Sequence, residues 1–204
     1  MKKSGKITLL WSVLMSSAGP LVVGVGLLIG KSSTQLADFI RRSTELLGII
    51  LSFIIYCITT KDENVKEDKK QKLEKTANIF VSLSMILSGT VMSILALALH
   101  EQEKGNVVPG LLIALLGLTA NTFFWIKYAK LGKVEDNAIL KTQSKLYRAK
   151  TFVDGSVTIA LLVMLLSNNQ NVANSFDLIG TCIVSVYLIY TGITSFIKEM
   201  KKVK

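Results

Sequence analysis

Residues 36–60 read LADFIRRSTELLGIILSFIIYCITT and run directly into KDENVKEDKK at 61–70. No backbone polar group can be left unpaired in hydrocarbon, so roughly 20 mainly apolar residues in a row read as a helix crossing the ~30 Å core of a bilayer. The charges that follow alternate in sign without an apolar stripe, which predicts a solvated loop or a helical extension. This alternation of apolar run and charged cluster recurs along the chain. It gives six expected spans, at 7–30, 36–60, 78–99, 108–129, 146–167 and 176–197. Half of the 204 residues are hydrophobic and the mean hydropathy is +0.48. The longest polar stretch, Lys61 to Lys75, falls far short of the ~50 residues an independent domain needs. The expectation is an all-α protein: one multi-pass, six-helix transmembrane domain over 1–204, in a lipid bilayer, with the cell (plasma) membrane as its location.

The formal charge of +10 raises the question of nucleic acid, and the placement of the basic residues answers it. Lys2, Lys3 and Lys6 precede the first span, and Lys61, Lys66, Lys69, Lys70, Lys72 and Lys75 follow the second. Seven more lie between Lys127 and Lys150, and Lys198, Lys201, Lys202 and Lys204 end the chain. All of these fall on one side of a six-span layout, whereas the other side holds Lys31 and Lys104. Such a split follows the positive-inside rule and places both termini in the cytosol, with no nucleic-acid partner.

The opening Lys2-Lys3 and the small residues Ser16 to Gly19 resemble a cleaved signal, but the apolar run continues to Gly30, so a retained helix is expected. Cys57 and Cys182 lie in different spans and imply neither a disulfide nor a thiolate metal site. Gly26 and Gly30 have the spacing that lets helices approach closely in lipid, and Pro20 should bend or locally adjust the first helix. The short outer links, Glu101 to Asn106 and Asn168 to Asn174, predict that successive helices are antiparallel neighbours. Gly30-Lys31-Ser32 fails as a phosphate loop because Val25 stands where the first glycine belongs. His100, the single histidine, falls where the third span leaves the membrane, and no serine, histidine and carboxylate grouping looks catalytic. The chain is not expected to be an enzyme or to hold a cofactor.

Ionisable residues inside a span cost ~2.5–3.5 kcal/mol each on insertion scales, so they are functional candidates by default. Here they are Asp38, Arg41, Arg42 and Glu45 in the second span and Asp154 in the fifth, with Arg148 and Lys150 nearer its cytosolic end. Asp38, Arg41 and Glu45 share one helical face, and Arg41 can reach Glu45 one turn away. Two readings stand: an internal ion pair, Arg41 with Glu45 or Asp154, that bolts helices together, or an ion or proton pathway lined by Asp38, Glu45 and Asp154.

Several stretches carry a resemblance. Ser32-Ser33 with Leu36-Ala37-Asp38, the run from Gly110 to Asn121 in the fourth span, Tyr147-Arg148-Ala149, Asp177-Leu178-Ile179-Gly180 and Tyr190-Thr191-Gly192 stand in the order and spacing of the cation diffusion facilitator family. The chain resembles that family's six-helix transmembrane domain, which exports divalent metals such as zinc or manganese in exchange for protons and works as a homodimer. The resemblance implies a metal site between the second and fifth helices, with an Asp or His and an Asp four residues later on each. Carried over, those positions fall on Arg41 and Glu45 and on Val153 and Val157, of which only Glu45 can ligate a metal. Asp154 stands one residue past the family position, ~100° around the helix. A guanidinium does not deprotonate and cannot ligate a cation. The resemblance therefore implies either a cation exporter with an altered site at Asp38, Glu45 and Asp154, or a transport-inactive scaffold or regulator in which the Arg41–Glu45 pair replaces the metal. With the sequence running to Lys204, the family's cytosolic domain, which helps to hold the dimer, is expected to be missing.

Overall fold

The computed structural model describes residues 2–30, 33–61, 67–98, 107–167 and 170–201. They form six helices: α1 Lys2–Gly30, α2 Ser33–Lys61, α3 Glu67–Ala98, α4 Val107–Val134, α5 Ala138–Ser167 and α6 Gln170–Lys201. No strand occurs among the described residues. The described part of the charged segment after α2, from Glu67 on, is helical and belongs to α3. Glu67 and Asp68 occupy its first turn, where acidic side chains complement the helix dipole. His100 and Lys104 lie outside the described residues.

Among the described residues, five helices contain stretches long and apolar enough to cross a membrane: Ser4–Val25, Phe39–Thr60, Glu67–Ile94, Leu111–Val134 and Leu178–Lys201. The fifth helix also has an apolar run, Thr151 to Leu166, but Asp154 lies within it and Lys141, Lys145, Arg148 and Lys150 precede it. Its surroundings explain how it is tolerated. α5 packs against α4, α6, α3 and α2, so its charged turns meet other helices. The outer faces of its neighbours are apolar: Trp11, Leu21, Leu116, Val186 and Tyr190 are exposed, as lipid-facing side chains should be.

The helices close a ring in the order α1, α2, α3, α6, α5, α4 and back to α1. Successive helices are neighbours in four of the five cases, but α3 does not pack along α4 among the described residues. The reason lies in the small residues of α3 and α6. A Cβ on Gly89 would stand 2.8 Å from the Ser185 carbonyl, and one on Gly192 would stand 2.9 Å from the Ser82 carbonyl. These reciprocal approaches seat α6 where a simple meander would place α4, by the close packing that small residues permit in lipid. The glycines of α1 play a lesser part. Gly19 and Gly24 face Arg42 and Phe39 of α2, while the surroundings of Gly26 and Gly30 fall outside the described residues.

α4 and α5 are joined by Glu135, Asp136 and Asn137. The Glu135 N–H bonds the Leu131 carbonyl at 2.8 Å, Asp136 takes φ of 44°, and Asn137 Oδ1 accepts the Leu140 N–H at 3.1 Å. A left-handed residue thus ends one helix and an asparagine caps the next. So tight a link holds α5 along α4, which brings Asp154 beside Asn121.

Candidate ion site

α2 carries Arg41 and Glu45 one turn apart, and both are buried, at 8% and 3% exposure. Arg41 Nη1 donates to Glu45 Oε1 at 3.3 Å, the contact expected from their spacing. The Ser88 hydroxyl of α3 donates to the same oxygen at 2.8 Å. Lys150 of α5 approaches the other oxygen, Oε2, at 3.7 Å. Glu45 is therefore the meeting point of α2, α3 and α5, with a cation on each side and a hydroxyl between them.

Asp154 is held separately. Asn121 Nδ2 of α4 donates to Asp154 Oδ2 at 2.6 Å, and a Cβ on Gly117 would stand 2.7 Å from that oxygen. The glycine leaves the space that the carboxylate occupies. Gly117→Ala is expected to turn Asp154 away from Asn121 and to lower stability by about 1–2 kcal/mol, the loss of a charged hydrogen bond exceeding the gain in helix propensity. Unfolding in mixed micelles of a denaturing detergent measures this. The cost should vanish in an Asp154→Ala background; an equal cost there would mean that the crowding involves some other group.

The residues named from sequence thus fare differently. Arg41 and Glu45 come together, whereas Glu45 and Asp154 have different direct partners. Asp38 lies in the first turns of α2, and its side chain falls outside the described residues. Val153 is buried in the core and Val157 is half-buried. Two contributors were given no part in the site from sequence: Lys150, named only as lying near the cytosolic end of its span, and Ser88. Lys150 precedes Asp154 by four positions, a spacing that puts both on one side of α5. Ser88 carries no such signal, being one serine among several on α3.

Three cationic side chains surround the two carboxyl groups: Arg41 and Lys150 contact Glu45, and Lys150, Arg42 and Arg41 all lie within electrostatic reach of Asp154. Groups of three or more His, Cys, Asp or Glu side chains placed to share a metal are absent among the described residues. A cation arriving at Glu45 must therefore share or displace a positive charge already present.

The bundle of six long, largely apolar helices agrees with what a comparison of families finds. Residues 9–202 match the family model for the cation efflux transmembrane domain. A comparison with curated proteins gives no match. The family match covers nearly the whole chain, so the protein belongs to the cation efflux, or cation diffusion facilitator, family of membrane cation transporters.

Proposed function

We propose that the protein exports a divalent cation of the zinc or manganese class in exchange for protons, through a site rebuilt around Glu45, with Asp38 and Asp154 on the same pathway. The observation that carries this reading is the seat of Glu45. A carboxylate 3% exposed and shared by three helices is costly to keep in a membrane unless it binds something that moves. Its partners, Ser88 at 2.8 Å and Lys150 at 3.7 Å, come from different helices, so relative motion of α2, α3 and α5 would open or close its coordination. Asp154 and Asn121 supply further oxygen donors if the amide turns over. Under the same reading the lysine-rich end, with both termini, faces the cytosol of the cell membrane, and a homodimer is the working unit.

A second reading has one observation in its favour. The Arg41–Glu45 contact at 3.3 Å satisfies the carboxylate without any ion, as expected of a transport-inactive scaffold or regulator. Flux in proteoliposomes decides between them. The purified protein is given zinc, manganese and cadmium in turn under an imposed pH gradient. Cation uptake with counterflow of protons, lost in Asp154→Ala, is the expected result. No flux for any of the three ions would overturn the exporter and leave the scaffold.

A further inference from the structure

Lys150 stands between two docks. Its Nζ is 3.7 Å from Glu45 Oε2 on α2, 3.4 Å from Ser16 Oγ on α1 and 5.2 Å from the centre of the Tyr147 ring. Both polar contacts are long for a charge-assisted hydrogen bond, which settles at about 2.7–2.9 Å. Ser88, by contrast, holds the same carboxylate at 2.8 Å. The ammonium is thus shared between two places and fully seated in neither.

The second dock is well made. Ser16 Oγ and Tyr147 OH are hydrogen-bonded at 2.9 Å, which fixes the hydroxyl at the phenol end of the ring. Pro20 has no N–H, so the Ser16 carbonyl lacks its usual donor four residues on. The Tyr147 face attracts a cation through its quadrupole. An ammonium leaving Glu45 would find a hydroxyl and an aromatic face a short side-chain movement away. Asp154, one turn along α5, is also within electrostatic reach of the ammonium, but Asn121 on α4 holds its Oδ2. Lysine suits such movement. Its charge sits at the end of a flexible four-carbon stem, whereas the Arg41 guanidinium is a rigid fork.

We infer that Lys150 is a tethered counter-cation that competes with the transported cation for Glu45, withdrawing to Ser16 and Tyr147 when the cation arrives and returning to expel it. The inference rests on the reading of Glu45 as the cation acceptor and adds a residue that sets affinity and turnover. The carboxylate is then faced by a cation at each stage, the ammonium or the transported ion.

The test uses zinc as probe on the full chain, with binding followed by calorimetry in detergent and transport in proteoliposomes. Lys150→Met should bind zinc roughly tenfold more tightly than the parent, the low end of what close charge pairs contribute. Its KM and kcat should fall together, because a cation without a competitor enters readily and leaves slowly. General damage to the fold would not tighten binding. Ser16→Ala, which weakens the second dock and keeps the ammonium on Glu45, should bind zinc about threefold more weakly, the worth of one hydrogen bond, and it serves should Lys150→Met fail to fold. A parent that binds zinc, with Lys150→Met no tighter or Ser16→Ala no weaker, would overturn the tether and leave the acceptor reading standing. Zinc binding absent from the parent and from Lys150→Met alike would overturn the acceptor reading itself.

Discussion

Glu45→Ala is expected to destabilise the protein by about 3–5 kcal/mol, the usual cost of removing one partner from a buried ion pair. The carboxylate faces Arg41 Nη1 at 3.3 Å and Lys150 Nζ at 3.7 Å, so its loss removes the anion that both cations share between α2 and α5. The Ser88 hydroxyl, which donates to Glu45 at 2.8 Å, loses its acceptor as well. Unfolding in mixed micelles of a denaturing detergent, followed by circular dichroism, measures the change. The double variant Arg41→Met with Glu45→Leu should recover most of the loss, because a charge pair replaced by apolar groups of similar volume is often neutral. A Glu45→Ala protein within about 1 kcal/mol of the parent, as at an exposed pair, would mean that the carboxylate does not hold these helices. The double variant also separates fold from transport. If it is stable and inert in zinc flux, Glu45 is needed by the pathway; if it is stable and still transports, Glu45 lies off it.

The spans were legible because each apolar run is long and has a lysine cluster at one end, and hydrocarbon admits few alternatives to a helix. What hydropathy could not supply was the order of the helices around the ring. That depends on Gly89 and Gly192 meeting the Ser185 and Ser82 carbonyls, a match between two distant segments that no local pattern announces. The Arg41–Glu45 contact was readable because it lies within one helix at a one-turn spacing. Lys150 was read as part of the cytosolic charge cluster, since a lysine near a helix end ordinarily serves topology. Only the packing of α5 in the bundle turns it toward Glu45. Asn121 appeared in the family resemblance, but its partner depends on the short Glu135-Asp136-Asn137 link that holds α5 along α4.

The same face of α5 allows a metal site to be built. Lys150 reaches α2, and Val153 and Val157, three and seven residues further on, continue along that side. Arg41 and Glu45 are already one turn apart on α2. The triple variant Arg41→Asp, Val153→Asp and Val157→Asp would therefore direct four carboxylates into the space between the two helices. Without metal their mutual repulsion and burial should lower stability by several kcal/mol, on the order of what uncompensated buried charges cost. Lys150 would relieve only part of this. Zinc would draw the four together at about 2.0–2.2 Å in a tetrahedral shell. At 100 times its dissociation constant a ligand adds about 2.7 kcal/mol to stability, so zinc should restore much of what the substitutions remove. Thermal unfolding with and without zinc measures this directly. The expected result is a zinc-dependent rise in the variant well above that of the parent, whose Glu45 is already engaged by Arg41 and Lys150. Equal responses would show that Val153 and Val157 do not face Glu45 across the bundle, and would remove the geometric basis for relating this site to a metal centre between α2 and α5.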